Sequence, residues 1–231
     1  MTVDAVLFDL DDTLLEYRRS PAELLAESFA TAGVDPLFAV DDYYDRYDDF
    51  AEAHDDPDAL RRDCFATLAA EAGGDRETGR RIADAYATMR DHRDVQFRPG
   101  AREALDALDG RYRLGIVTNG SPSMQRHKYD ALGLNGQFEA VVHAGTEAPP
   151  KPDPEPFRVA LSGLDATADR AIHVGNSHGS DVLGAHNAGV GSVWIPATDY
   201  DRRTAEGRDV EPDHALDSLA ALPGLVAQLD G

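Results

Sequence analysis

From Gly100 onward, short apolar segments alternate with longer segments of helical periodicity. The predicted elements follow one another in chain order as helix 100–108, strand 112–118, helix 122–132, strand 138–144, helix 154–162, strand 171–175, helix 181–188 and strand 192–195. A further apolar segment, 3–8, predicts a strand near the N-terminus. Strands separated by helices of this length form a parallel sheet that is covered on both faces. The sequence therefore predicts an α/β fold built on a doubly wound parallel sheet.

The segment between the first strand and Gly100 has a different pattern. Ser20 and Glu23 have the spacing of a capping box, with Pro21 at the first helical position, and Gly33 ends the helix that they begin. Further helices are predicted over 36–53, 58–72 and 75–92. We therefore expect two domains: a catalytic core of residues 1–15 and 94–231, and an inserted helical cap of residues 16–93.

Polar residues follow four of the predicted strands at the point where each strand ends. These residues are Asp9, Asp11, Thr118, Asn119, Gly120, Lys151, Asn176 and Asp181. In open parallel sheets, ligands bind at the carboxyl ends of the strands, so we expect these side chains to meet at one edge. Several carboxylates at close range favour a neutralising cation, and hard oxygen ligands suit Mg²⁺. With a lysine and neutral hydrogen-bond donors beside them, they predict a site for phosphoryl transfer.

The strand-end motifs make the chain resemble the haloacid dehalogenase-like hydrolase superfamily, specifically its phosphatases with a small helical cap after the first motif. In order, the matching segments are Asp9-Leu10-Asp11-Asp12-Thr13-Leu14, Thr118-Asn119-Gly120, Lys151-Pro152-Asp153-Pro154, and Gly175-Asn176-Ser177 through Asp181-Val182-Leu183-Gly184-Ala185. The resemblance extends over nearly the whole chain. It implies a Rossmann-like core with an inserted cap, and the activity of a phosphoric monoester hydrolase.

The resemblance also implies roles for the motif residues. Asp9 would be the nucleophile that forms an aspartyl phosphate, and Asp11 would act as general acid and base. Lys151 would hold the Asp9 carboxylate and the transferring group. Substrate binding would fall to the segment Thr118-Asn119-Gly120. The Mg²⁺ ligands would be Asp9, the backbone carbonyl of Asp11, and Asn176 and Asp181 of the fourth motif.

Asn176 departs from the family pattern, which usually has aspartate at this position. An amide oxygen can still bind Mg²⁺ but brings no negative charge. A catalytically weakened family member that binds a phosphorylated ligand is therefore one alternative. A second is a metal-independent 2-haloacid dehalogenase, although Asp11 and Thr118 argue against it. A phosphate-accepting receiver module, from a different class of protein, does not fit an acceptor aspartate as close to the N-terminus as Asp9.

Charge limits the partners that the chain can have. Forty-three Asp and Glu face twenty-two Lys and Arg, which gives a formal net charge of −21, and the two lysines are Lys128 and Lys151. Nucleic acid and anionic membranes need a basic face, so we expect neither as a partner and instead expect a small phosphorylated metabolite. An acidic, lysine-poor composition suggests adaptation to high salt. The N-terminus lacks the basic region of a signal peptide, and the single cysteine fits a reducing compartment, which predicts a cytoplasmic location. The oligomeric state is not predicted.

Overall fold

The structure is a computed structural model that describes residues 2–51, 53–54 and 56–230. It divides into two compact units, one of residues 1–17 with 92–231 and one of residues 18–91. The predicted cap, 16–93, extends two residues beyond the second unit at each end. Residues 1, 52, 55 and 231, which the predicted domain ranges include, lie outside the described residues.

The larger unit is built on a parallel sheet. Within the described residues its strands are β1 (Ala5–Phe8), β4 (Arg113–Thr118), β5 (Ala140–His143), β6 (Ala171–Gly175), β7 (Gly191–Trp194) and β8 (His214–Ala215). Their order across the sheet is β5-β4-β1-β6-β7-β8, and each neighbouring pair is parallel. The predicted α/β class with a parallel sheet is therefore confirmed. Because β1 lies between β4 and β6, the residues that follow these three strands come together at one edge.

Helices cover both faces of this sheet. They are α5 (Ala101–Leu108), α6 (Pro122–Leu132), α7 (Glu155–Gly163), α8 (Leu183–Ala188), α9 (Asp199–Ala205) and α10 (Leu222–Leu229). Side chains of β1 alternate between two cores, since Val6 and Phe8 pack with α5 and α10, whereas Leu7 packs with α7. Both faces are buried, which explains why β1 reads as an unbroken apolar segment.

A short antiparallel pair lies within the same unit. Strand β2 (Leu15–Tyr17) pairs with β3 (Val95–Phe97), with Leu15 opposite Phe97. The pair joins the two points at which the chain leaves and re-enters the larger unit. This explains why residues 16–17 and 92–93 belong to the core unit and not to the helical one.

The smaller unit is helical. Its helices are α1 (Pro21–Ala32), α2 (Val40–Ala51), α3 (Pro57–Glu71) and α4 (Arg76–Met89). Helix α1 begins with the predicted capping box, in which Ser20 and Glu23 bond each other's backbone. The unit has its own apolar core, in which Phe65 contacts the rings of Phe38, Tyr43 and Tyr86 edge to face. Across the part of the chain that the structure describes, none of the helices is both long and apolar enough to cross a membrane.

Candidate active site

Asp9 and Lys151 form a buried ion pair at the carboxyl edge of the sheet. Asp9 follows β1, and its backbone N–H donates to the carbonyl of Val174 in the neighbouring strand β6. Lys151 is 5% exposed. Its Nζ donates to Asp9 Oδ1 at 2.8 Å, to Asp181 Oδ1 at 2.6 Å and to the carbonyl oxygen of Val117 at 2.8 Å. An ammonium has three N–H groups, and these contacts use all three.

Asp181 anchors this lysine from the side of β6. Besides the contact with Lys151, its Oδ1 lies 3.0 Å from Nε2 of His173, and its Oδ2 accepts from the Ser177 N–H at 2.9 Å. Asp181 can sit this close to β6 because residue 175 is glycine. A Cβ on Gly175 would lie 2.2 Å from Asp181 Cγ. His173 itself is buried and packs edge to face on Phe157.

Burial and charge shift the pKa values of this group in opposite directions. Burial raises the pKa of Asp9 to about 7, although Lys151 opposes the shift. Burial also acts to raise the pKa of Asp181, but Lys151 and His173 outweigh it and hold that pKa well below its usual value. Burial would lower the pKa of Lys151, yet the two carboxylates outweigh it and raise it. The charge of Lys151 therefore only partly offsets the effect of burial on the pKa of Asp9. A further positive charge beside Asp9 would stabilise its ionised form.

Asp11 points to a separate pair of partners on helix α6. Lys128 Nζ donates to Asp11 Oδ1 at 2.5 Å, and Gln125 Nε2 donates to Asp11 Oδ2 at 2.7 Å. Lys128 is 1% exposed, and its ammonium lies 5.1 Å from the centre of the Tyr17 ring. Asp9 and Asp11, two residues apart in the first motif, thus have different lysines as counterions.

Thr118 links the end of β4 to the same helix. Its Oγ1 accepts from Gln125 Nε2 at 2.9 Å and from the backbone N–H of Gly120 at 3.1 Å. Because both contacts are accepted, the hydroxyl proton of Thr118 can point elsewhere, which suits an anionic ligand. A Cβ on Gly120 would lie 2.0 Å from Gln125 Nε2, so glycine is needed for this close approach.

Asn119 holds the loop that carries Lys151. Its Nδ2 donates to the Lys151 carbonyl oxygen at 3.2 Å, and its Oδ1 accepts from the Lys151 N–H at 2.9 Å. The side chain therefore positions the catalytic lysine candidate, and the backbone of Asn119 is left to the predicted contact with substrate.

The side chains of Asn176 and Asp9 both contact the hydroxyl of Thr13. Thr13 Oγ1 lies 3.3 Å from Asp9 Oδ2 and 3.1 Å from Asn176 Oδ1, so two oxygen atoms converge on one side of the Asp9 carboxylate. The other end of the amide, Nδ2, donates to Asp201 Oδ1 at 3.1 Å.

The convergence of these oxygen atoms fits a magnesium ion better than a metal that needs several charged ligands. Within residues 2–51, 53–54 and 56–230, no three His, Cys, Asp or Glu side chains are arranged to hold a metal ion. Mg²⁺ usually takes one or two carboxylates and completes its shell with water and phosphate. Asp9 and Asn176 supply oxygen atoms of the right type. The contacts of Asp181 with Lys151, His173 and Ser177 favour an anchoring role, and its role as a direct ligand stays a prediction.

The structure thus brings the eight predicted site residues into two linked sets of contacts. One set joins Asp9, Lys151, Asp181, Asn119 and Asn176, and the other joins Asp11, Thr118 and Gly120. Residues without a predicted role also take part, namely Thr13, Gln125, Lys128 and Asp201. For Lys128 a signal existed in the sequence, because lysine is scarce in this chain.

Comparisons with known proteins identify what the chain is similar to. A family model described as haloacid dehalogenase-like hydrolase matches residues 3–189. The phosphoserine phosphatase of Thermus thermophilus is 34% identical over 166 residues, which are 68% of this chain and 66% of that protein. In two glyceraldehyde 3-phosphate phosphatases from Pyrococcus species, the matched part is 41% and 55% of the relative's length. The chain thus spans less than two thirds of the length of each of these three relatives.

Two solved structures resemble the chain over almost its full length. The hydrolase YfnB from Bacillus subtilis, solved with bound magnesium, aligns with 98% of this chain and 100% of that chain, at a TM-score of 0.76 and 22% identity. A 2-haloacid dehalogenase from Pseudomonas syringae aligns with 99% and 100% of the two chains, at a TM-score of 0.62 and 26% identity. At 22% identity, the first of these likenesses concerns the fold alone.

Proposed function

Because the chain belongs to the haloacid dehalogenase-like hydrolase family, we propose that it hydrolyses a small phosphomonoester through an aspartyl phosphate on Asp9. The observation that supports this proposal most directly is the separation of the two motif aspartates. Asp9 is buried against Lys151, whereas Asp11 is paired with Lys128 and Gln125. This separation supports a role of Asp9 as nucleophile and a role of Asp11 as proton carrier.

The proposed reaction has two steps. In the first, an Asp9 oxygen attacks phosphorus while Asp11 gives a proton to the leaving oxygen. In the second, Asp11 takes a proton from the water that attacks the acyl phosphate, and Asp9 is regenerated. Lys151 and the hydroxyl of Thr118 would compensate charge on the phosphoryl oxygens in both steps.

Magnesium is part of this proposal. Asp9 and Asn176 would hold the ion, together with the backbone carbonyl of Asp11 and, as first predicted, Asp181. When bound, Mg²⁺ would neutralise charge on the phosphoryl group and on Asp9. The raised pKa of Asp9, caused by burial, supports a need for this added positive charge.

The wider setting is proposed on the charge of the chain. A net charge of −21 favours a small phosphorylated metabolite over nucleic acid or an anionic membrane as partner. We also propose a cytoplasmic protein adapted to high salt. The names of the relatives offer a starting panel of substrates, namely phosphoserine and glyceraldehyde 3-phosphate.

The test measures phosphate release from this panel and from p-nitrophenyl phosphate, with and without Mg²⁺, at low and high KCl. We expect Mg²⁺-dependent release that Asp9→Asn abolishes, while Asp109→Asn, an exposed change elsewhere in the core unit, keeps it. In Asp11→Asn with p-nitrophenyl phosphate, whose leaving group departs without a proton, the second step should stall, so intact-mass measurement should find a phosphoryl group on the protein that hydroxylamine removes. Equal release by wild type and Asp9→Asn would contradict the proposal.

A dehalogenase is the second candidate, favoured by the likeness to the Pseudomonas syringae enzyme and by the neutral Asn176. Its activity would appear as chloride release from a 2-chloroalkanoate without added metal. We expect none, because the Thr118 hydroxyl and the Asp11 carboxyl support a reaction on a phosphoryl group. Chloride release that exceeds phosphate release would reverse this ranking.

A further inference from the structure

The side chain of Asn176 is asymmetric, and its surroundings determine which end faces Asp9. Its Oδ1 is 3.1 Å from Thr13 Oγ1, on the side of Asp9, while its Nδ2 donates to Asp201 Oδ1 at 3.1 Å. We propose that Asp201 is a positioning residue, which turns the oxygen of Asn176, and not its nitrogen, toward Asp9. This inference rests on the proposed function, in which Asn176 binds Mg²⁺.

Asp201 is well suited to this task because it is held rigidly. It is 9% exposed and lies in the first turn of α9. Its Oδ2 accepts from the N–H groups of Ala197 and Thr198 at 2.9 and 2.8 Å and from Thr198 Oγ1 at 3.0 Å. These three donors fix the carboxylate, so that Oδ1 faces Asn176.

An ionised carboxylate only accepts hydrogen bonds, so it can face only the NH₂ end of the amide. If the amide turned over, two oxygen atoms would meet at Asp201, and the NH₂ group would point at Asp9 and Thr13. An amide nitrogen in that position cannot bind a cation. Asp201 therefore sets the ligand atom that Asn176 presents, while its own charge stays behind the amide.

The first test is Asp201→Asn. The introduced side chain must use its oxygen for the three donors at the start of α9, which leaves its NH₂ group facing Asn176. Two NH₂ groups cannot bond each other, so Asn176 is expected to turn over. Partners of this kind affect metal affinity by about 10- to 100-fold, and we expect a loss of that order.

The second test exchanges the two side chains. In Asn176→Asp alone, two carboxylates would face each other at the distance of a hydrogen bond and repel, so Mg²⁺ affinity should fall. In the double variant Asn176→Asp with Asp201→Asn, the introduced amide can donate to the introduced carboxylate. Mg²⁺ affinity should then return to the wild-type value or exceed it, which makes the effects of the two substitutions strongly non-additive.

Binding is read without reference to turnover. Mg²⁺ that binds the folded state raises the thermal midpoint by mass action, and Mn²⁺ binding can be followed directly by electron paramagnetic resonance. Asp199→Asn is the matched control. It removes a negative charge from the same first turn of α9 at an exposed position, so it should leave the midpoint shift that Mg²⁺ produces unchanged.

The outcomes separate this inference from the proposed function. A wild-type protein that shows no response to either metal would contradict both. A normal wild-type response that Asp201→Asn shares would overturn the inference alone. So would a double variant that binds no better than Asn176→Asp.

Discussion

At the scale of single residues, both lysines of this chain bind carboxylates of the candidate site. Lys151 binds Asp9 and Asp181, and Lys128 binds Asp11. Cationic side chains elsewhere in the chain are arginine, and many of the arginines form exposed ion pairs, such as that between Arg62 and Asp84. A compact ammonium fits a crowded buried position better than a planar guanidinium, which accounts for the selective use of lysine here.

Lys128→Met tests whether this second lysine matters for catalysis. The change keeps the length of the side chain and removes its charge, so Asp11 should lose its contact with the ammonium and, with it, its fixed orientation. We expect kcat to fall by about 10-fold or more, with a smaller change in KM, because general acid–base catalysis depends on the position of the acid. Steady-state kinetics on the best substrate of the panel would measure both constants.

Arg126→Met is the matched control for this variant. It removes a positive charge from the same helix α6 at an exposed position. It should leave kcat unchanged. Equal losses in the two variants would assign the effect to overall charge, and unchanged kinetics in Lys128→Met would remove Lys128 from the catalytic site.

The sequence was more informative about site residues that follow strands than about those on helix α6. Asp9, Thr118 and Asn176 could be placed together because the ends of parallel strands meet at one edge. The contacts made by Gln125 and Lys128 depend on how α6 is rotated against the sheet, and local patterns do not encode that rotation. A long-range contact such as the one between Asn176 and Asp201 requires the folded chain.

At the scale of elements, long segments with a clear period were predicted well. Helix α6 and strand β6 have the predicted bounds. The segment 181–188 differs, because its start is a π-helical turn, His178–Val182, that precedes α8. The antiparallel pair β2 and β3 was missed because strands of three residues carry too little pattern to recognise. Helix α10 was also missed, since Pro223 and Gly224 near its start resemble loop sequence.

Two glycines in helical contexts predict opposite effects of the same substitution. Gly224 lies in the first turn of α10 with open space around a Cβ, so Gly224→Ala should stabilise the protein by about 0.5 kcal/mol. Gly133 ends α6 with φ +66°, in the left-handed region, so Gly133→Ala should destabilise by about 1 kcal/mol although its space is equally open. Differential scanning calorimetry should show midpoint shifts of opposite sign, of about 1–4 °C.

Because neither position has a neighbour within 4 Å of the added methyl group, packing cannot account for the difference between these two variants. Two shifts of the same sign would contradict the explanation based on backbone conformation. Phosphatase activity per folded molecule should be unchanged in both, since neither glycine contacts the site.

At the scale of the whole molecule, a net charge of −21 predicts that salt stabilises the fold. Like charges repel one another in the compact state, and added ions screen that repulsion, with a Debye length of about 10 Å at about 0.1 M and about 3 Å at about 1 M. The thermal midpoint should therefore rise as KCl increases across this range. A flat or falling midpoint would contradict the prediction of high-salt adaptation, and a series in sucrose would separate screening from general solute effects.

The burial of both lysines also determines how a lysine-specific protease digests the folded protein. A protease that cleaves only after lysine finds both target side chains almost fully buried in the folded chain, and one of the two bonds, Lys151–Pro152, leads into a proline. The helical unit of residues 18–91 contains no lysine at all. Cleavage would therefore begin after Lys128, and only once α6 has separated from the sheet. The rate at which the resulting pair of fragments appears would measure how fast the core unit opens. The helical unit would add no fragments of its own.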